Sequence, residues 1–184
     1  MIRGLTTSRV FCRFASGSEN TLGVREIPRD GFCISTFLVI ADSTNPKSVL
    51  MGKIDPAGPW DHLGAMFPEL VQTASKGWIL PSSHLILFES PDESARRILR
   101  EQLGADDLQL SEPKIFSEVY NQRGRENHWD LQLVFQGKLD PGAHLETAGI
   151  WKELRFLDVG TISRGEIARL NGDILAHLGL HTRD

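Results

Sequence analysis

The chain has 184 residues, of which 40% are hydrophobic and 24% charged, and this size and composition are ordinary for one folded domain with a hydrophobic core. The 24 acidic and 20 basic side chains give a formal net charge of −4, which offers no basis for a nucleic-acid or anionic-membrane surface. Two cysteines without a CxxC pair exclude a disulfide framework and a cysteine zinc site, and no apolar stretch approaches the ~18 residues that cross a bilayer. We expect a cytoplasmic protein that has neither nucleic acid nor a membrane as a partner.

The first 18 residues allow two interpretations. They contain three arginines, several Ser and Thr residues and no acidic residue, a composition typical of organellar transit peptides. They also contain a mostly apolar run at residues 10–14, which predicts an N-terminal strand, and this is the interpretation that we favour.

Apolar runs separated by turn residues predict a series of strands. The β-branched and aromatic run at residues 32–41 predicts a central strand, and Asn45-Pro46 marks the turn into a second strand at 48–54. Further strands are predicted at 78–80, 114–120, 129–138 and 150–156. A short helix is predicted around residues 69–75.

The clearest helix begins after Ser90. Ser90 and Glu93 form a capping box, and Pro91 occupies the first helical position. The helix is predicted to end at Leu103, because Gly104 can adopt the left-handed conformation that stops a helix.

A second amphipathic helix is predicted at residues 165–178, where apolar residues recur on one stripe. The stripe consists of Ile167, Leu170, Ile174 and Leu178. Strands and helices in this order predict an α/β, or α+β, sandwich.

Residues 78–105, WILPSSHLILFESPDESARRILREQLGA, resemble the Nudix box, whose pattern is G-x5-E-x7-R-E-U-x-E-E-x-G-U, where U is a bulky aliphatic residue. With Glu89 placed on the first acid, four further positions match without a gap. They are Arg97, Leu99, Glu101 and Gly104.

Flanking segments support the resemblance, because residues 128–131 and 151–154 are similar to later strands of the Nudix fold. The similarity covers roughly residues 30–178. It implies a single Nudix-like domain over residues 1–184, with residues 1–29 as an N-terminal extension. The implied architecture is a mixed β-sheet sandwiched between helices.

The chain departs from the pattern at the positions that hold metal in the family. In the family, three carboxylates at helix positions i, i+3 and i+4 lie on one face of the helix and bind Mg²⁺ or Mn²⁺. The metal supports hydrolysis of a nucleoside diphosphate linked to another moiety. In this chain the three positions are Ile98, Glu101 and Gln102, so one negative charge of three remains. Ser82 and Ser83 replace glycines of the preceding loop.

The resemblance nevertheless implies a set of candidate site residues and a nucleotide-type ligand. The catalytic candidates are Glu101 and Arg97, the candidate ligands for Mg²⁺ or Mn²⁺ are Glu101, Glu89 and Gln102, and the candidate phosphate or substrate contacts are Ser83, His84 and Trp129. The acids outside the box that are available to complete a metal site are Glu118, Glu126, Glu146 and Glu153, although each is more typical of a solvated surface.

The residues of the box helix also allow a structural interpretation. Ile98 continues the apolar arc formed by Ala95, Leu99 and Leu103, which predicts that this face packs into the core. For Glu101 the alternative to a metal ligand is a solvated ladder of charges with Glu93 and Arg97, each one turn from the next.

Residues 85–88, with the sequence LILF, do not suit a phosphate cradle. They are either buried, as an extra strand, or exposed as a patch for a partner or a homodimer. Three functions are therefore open: a divergent Nudix hydrolase, a non-catalytic module that binds a nucleotide or another phosphate ligand, and an interaction scaffold that uses residues 85–88.

Overall fold

The computed structural model describes residues 13–14, 32–58, 72, 74–86, 88–120, 128–147, 149–169 and 171–182. Seven strands in these ranges form one sheet, with the order β5-β6-β2-β3-β7 and with β1 and β4 also paired to β2. The strands are β1 (Arg13–Phe14), β2 (Phe32–Asp42), β3 (Ser48–Ile54), β4 (Ser82–His84), β5 (Lys114–Tyr120), β6 (His128–Leu139) and β7 (Trp151–Asp158). The helices include α1 (Pro91–Ile98), which continues into a π-helical turn (Leu99–Leu103), and α2 (Asn171–His177), which follows a 3-10 turn (Arg164–Glu166). None of the helices in these ranges has the length and apolar character needed to cross a bilayer.

Five predicted strands are confirmed as β2, β3, β5, β6 and β7, with ends that differ by one or two residues. The predicted strand at residues 78–80 is wrong, because Trp78 and Ile79 form only isolated bridges, to Ile167 and Gly52. Of the predicted N-terminal strand only β1 is seen, since residues 10–12 lie outside the described ranges, as do most of residues 69–75.

The sheet is mixed, because β2 and β6 run parallel over their whole length while the other paired strands are antiparallel. Successive residues of β2 point to opposite faces. Leu38 and Ile40 pack with the apolar side of α1, whereas Phe37 and Val39 pack in the core that includes α2. The predicted sandwich of a mixed sheet between helices is therefore confirmed.

Helix α1 begins as the sequence predicts. The Ser90 backbone N–H donates to Glu93 Oε2 at 2.7 Å, and the Glu93 backbone N–H donates to Ser90 Oγ at 3.3 Å. Gly104 ends the helical segment with φ +62°. The last turn is π-helical, which the apolar periodicity did not predict.

The predicted helix at residues 165–178 is wrong in its first half. Ile167 is extended, with φ −96° and ψ 118°, and forms a bridge with Trp78. The Trp78 backbone N–H donates to the Glu166 carbonyl at 2.8 Å, and the Ala168 backbone N–H donates to the Trp78 carbonyl at 2.9 Å. These bonds satisfy backbone groups that a continuous helix would have to pair internally, so α2 begins only at Asn171.

Candidate functional site

The candidate site lies where α1 and its π-helical turn meet β4. Strand β4 pairs with the middle of β2, and its register sets which backbone groups point away from β2. The Leu38 N–H donates to the Pro81 carbonyl and the Leu85 N–H donates to the Ile34 carbonyl, both at 2.9 Å. In an antiparallel pair these bonded positions alternate with non-bonded ones. Ser82 and His84 therefore direct their backbone groups outward, toward the box helix.

Arg97 occupies one end of this junction as a buried cation. Its Nε donates to Glu89 Oε1 at 2.7 Å and its Nη2 donates to Glu89 Oε2 at 2.9 Å, so the ion pair is bidentate. The two side chains are only 7% and 12% exposed. The guanidinium also donates to the outward carbonyl of His84 at 3.0 Å and to Ser83 Oγ at 3.1 Å. Arg97 thus ties α1 to β4 and to the loop that carries Glu89.

These contacts correct the predicted solvated ladder of Glu93, Arg97 and Glu101. Arg97 is buried and pairs with Glu89, eight residues away, rather than with Glu93 one turn before it. The Glu93 carboxylate instead accepts from the Ser90 backbone N–H, and this hydrogen bond, with a contribution from the Ser90 hydroxyl, lowers the pKa of Glu93 from its usual value.

Gln102 occupies the other end of the junction and is fully buried. Its Nε2 donates to the Ser82 carbonyl at 2.8 Å, and its Oε1 accepts from the Ser82 backbone N–H at 3.2 Å. The backbone carbonyl of Gln102 in turn accepts from the Trp151 indole N–H at 2.9 Å. The Gln102 amide therefore joins the box helix to β4 through hydrogen bonds inside the protein.

Ile98 is also fully buried, which confirms the predicted apolar face. It packs in one cluster with the other members of the arc, Ala95, Leu99 and Leu103, and with sheet residues such as Leu38 and Phe135. Two of the three positions that hold carboxylates in the Nudix pattern thus face protein in this chain.

Two of the acids offered by other elements pair with basic side chains away from the box helix. Glu118 pairs with His177 on the α2 side of the sheet, where the His177 ring stacks on Phe116 with the centroids 4.7 Å apart. Glu153 pairs with Arg155 at 3.0 Å on a largely exposed part of β7.

Glu146 is exposed, Glu101 is partly buried, and Glu126 lies outside the described residues. Among the described residues no three His, Cys, Asp or Glu side chains come together in a way that could hold a metal ion. The donor set around α1 therefore does not fit the Mg²⁺ or Mn²⁺ site that the resemblance implies.

The predicted phosphate contacts are placed as follows. Ser83 and His84 are both buried in β4, so neither predicted contact is exposed to a phosphate at the surface. Trp129 lies in β6, but its side chain is outside the described part of the structure. The run at residues 85–88 divides, because Leu85 is buried whereas Phe88 is 95% exposed with φ +68°.

The sequence analysis missed one polar cluster on the α2 face of the sheet. The Ser35 hydroxyl donates to Asp130 Oδ1 at 2.7 Å, and the Cys33 thiol donates to the same oxygen at 3.1 Å. All three residues are buried. They meet because Cys33 pairs with Asp130 in the parallel register of β2 and β6, a contact between residues 97 positions apart that no local pattern signals.

The fold of the chain is similar to that of several solved structures. No protein-family model and no curated protein matches the sequence. Among solved structures, the chain is similar to a MutT protein from Bacillus halodurans, with 17% identity and a TM-score of 0.51 over 82% of this chain and 83% of that one. The E. coli dihydroneopterin triphosphate pyrophosphohydrolase matches with 14% identity and a TM-score of 0.48, over 68% of this chain and 80% of that one. The Nudix domain of Shewanella oneidensis NrtR, solved with ADP ribose, matches with 12% identity and a TM-score of 0.47, over 67% and 71%.

At these identities the likeness concerns the fold and not the chemistry. The similarity to the MutT protein extends over most of both chains, and the mixed sheet between α1 and α2 agrees with it. The chain therefore has a Nudix fold.

Proposed function

We propose that the chain is a Nudix-fold module that binds a nucleotide-type or other phosphate-bearing small molecule and does not hydrolyse it with Mg²⁺ or Mn²⁺. The observation that supports this proposal is that two of the three metal-holding positions of the box helix make contacts inside the protein. Ile98 lies in the core and the Gln102 amide is bonded to Ser82, so neither position offers a carboxylate to a cation. Metal-dependent diphosphate hydrolysis needs such carboxylates to hold the ion that neutralises the phosphates.

The ligand class rests on the family resemblance, and the loss of turnover rests on the contacts of the box helix. These two parts of the proposal are independent, so they need separate measurements. Of the three metal-holding positions in the pattern, only Glu101 keeps its carboxylate, and it is therefore the residue on which the competing hydrolase interpretation depends.

The hydrolysis test uses purified protein with Mg²⁺ and then Mn²⁺ against nucleoside triphosphates, dinucleoside polyphosphates, nucleotide sugars and ADP-ribose. The Glu101→Gln variant is the matched control, because it removes one charge without changing the shape of the side chain. We expect no metal-dependent turnover from either protein. Turnover by the wild type that disappears in Glu101→Gln would refute the proposal and support a divergent hydrolase.

The binding test measures the melting temperature of the wild type with each member of the same panel. We expect a saturable increase with at least one phosphate-bearing ligand, because a ligand that binds only the folded state stabilises it by mass action. The absence of any increase across the panel would contradict the binding function.

Phe88 favours a second candidate function, an interaction scaffold. A Phe side chain that is 95% exposed and held at φ +68° is unusual on both counts, since large apolar side chains are normally buried and bulky residues rarely adopt positive φ. We propose self-association through this residue as the alternative. Light scattering of wild type and Phe88→Ser across a concentration series tests it, and a dimer that persists in Phe88→Ser would contradict it.

A further inference from the structure

Within the described residues, the outward edge of β4 is paired by side chains and not by another strand. Ser82 presents both a backbone N–H and a carbonyl, and one Gln102 amide satisfies both groups, at 3.2 Å and 2.8 Å. A primary amide carries a donor and an acceptor side by side, so it can reproduce the pair of bonds that a strand backbone would make. His84, the next outward residue, has its carbonyl satisfied by Arg97.

We propose that Gln102 is a metal-independent latch that takes the place of a divalent cation between the box helix and β4. This inference deepens the proposed function and rests on it, because it assumes that the native chain holds no cation at this junction. The latch is the amide of Gln102 together with the backbone N–H and carbonyl of Ser82.

The chemistry of position 102 supports the exchange. A carboxylate there offers only acceptors. It would accept the Ser82 N–H but bring a charged oxygen against the Ser82 carbonyl oxygen, which now receives the amide donor at 2.8 Å. A hard cation between the two oxygens, with water in its remaining positions, would relieve that repulsion. Glutamine supplies the missing donor within the protein, so no ion is needed.

The backbone of the π-helical turn holds Gln102 in place from the opposite side. The Gln102 carbonyl accepts from the Trp151 indole N–H, and Trp151 is itself buried. A Cβ on Gly52 would lie 2.3 Å from Trp151 Cε3, so the indole fits over β3 only because residue 52 is glycine. Gln102 is thus anchored through its side chain to β4 and through its backbone to β7.

The test compares wild type, Gln102→Glu and Gln102→Leu by thermal unfolding in EDTA, Mg²⁺ or Mn²⁺. We expect the wild-type midpoint to be the same in all three conditions. Gln102→Leu should unfold about 4–10 °C lower in every condition, because two buried backbone groups lose their partner. Gln102→Glu should be similarly destabilised in EDTA and recover at least about half of that loss, saturably, with Mg²⁺ or Mn²⁺.

Three outcomes would overturn the latch. They are a saturable increase of the wild-type midpoint with either metal, a Gln102→Leu variant as stable as the wild type, and a Gln102→Glu variant that metal does not stabilise, including one that fails to fold with Mn²⁺ present. Amide hydrogen exchange in the wild type gives a second measurement, since the Ser82 N–H should be strongly protected in EDTA, and rapid exchange would contradict the bond to Gln102.

The latch and the proposed function fail separately. Metal-dependent turnover by the wild type, with an unchanged wild-type midpoint and the expected variant behaviour, would refute the proposed function and leave the latch in place. Absence of turnover together with a metal-insensitive Gln102→Glu variant would refute the latch alone.

Discussion

Replacing Arg97 with methionine removes the guanidinium while keeping a side chain of comparable length and apolar stem. In the native structure this guanidinium makes a bidentate pair with Glu89 and donates to the His84 carbonyl and the Ser83 hydroxyl. In Arg97→Met, Glu89 keeps the hydrogen bond from the Ile86 backbone N–H at 3.0 Å. The variant therefore leaves a carboxylate that is 12% exposed without its counter-charge.

The expected cost follows from that burial. Breaking a buried ion pair by removing one partner typically destabilises a protein by about 3–5 kcal/mol, because the remaining charge is uncompensated. For a chain of this size that corresponds to a fall in melting temperature of roughly 6–20 °C. The variant Glu89→Gln/Arg97→Met removes both charges, so its cost should be smaller than the sum of the two single variants by about 1–3 kcal/mol.

Urea unfolding of the wild type, both single variants and the double variant measures this coupling. Arg100→Met is the matched control, because Arg100 lies on the same helical segment but is exposed, and its replacement should change the free energy of unfolding by less than about 0.5 kcal/mol. If Arg97→Met costs no more than Arg100→Met, Arg97 is solvated and the structural role assigned to it is wrong.

Three further predictions concern the same region. Ile98→Glu, which restores the acid of the Nudix pattern, should lower the free energy of unfolding in urea by more than about 4 kcal/mol with or without Mg²⁺, because Ile98 is fully buried among apolar side chains. The hydrogen bonds from Ser90 lower the folded-state pKa of Glu93, so wild type should be more stable than Glu93→Gln above the usual Glu pKa of 4.5. A pH series of unfolding measurements should show this difference shrinking below pH 4.5 and disappearing as the pH falls through the lower folded-state pKa of Glu93. Phe88→Gly should be at least as stable as wild type in urea, since the side chain is 95% exposed and glycine adopts φ +68° without strain.

Local patterns in the sequence were sufficient for the box helix and for five of the strands. The capping box of Ser90 and Glu93 and the glycine stop at Gly104 placed the box helix correctly, because these signals act within one turn of the chain. Strands β2, β3, β5, β6 and β7 were predictable from their apolar runs for the same reason, whereas β4, with the sequence SSH, has no such run. That residues 1–184 form a single domain stays a prediction of the sequence.

Contacts between distant residues were not predictable in this way. Helix periodicity predicts that Arg97 pairs with Glu93, four residues before it. In the structure Arg97 pairs instead with Glu89 in the preceding loop, and both side chains of this ion pair are largely buried. The bond between Gln102 and Ser82 joins residues 20 positions apart and depends on the outward edge of β4. The break before α2 depends on Trp78, whose backbone pairs with Glu166 and Ala168.

The matches and mismatches to the Nudix pattern can now be explained position by position. Glu89 and Arg97 match because they pair with each other. Gly104 matches because its φ is +62° and a Cβ there would lie 2.7 Å from the Glu146 carbonyl oxygen. These matched positions have partners within the protein, so they maintain the fold whether or not a cation is bound.

Two of the positions that differ, Ile98 and Gln102, are ones whose partner in the pattern is a metal ion. In this chain Ile98 packs in one core cluster with Leu38 and Phe135, and the Gln102 amide bonds to Ser82, so each has its partner inside the fold. The positions of the motif that maintain the fold can therefore persist when the metal-holding positions change. A resemblance based on the fold-maintaining positions supports the fold far more than the chemistry. Among the three metal-holding positions of the pattern, only Glu101 keeps its acid, and it is partly buried, which makes Glu101→Gln the substitution that separates a surviving hydrolase from a binding module.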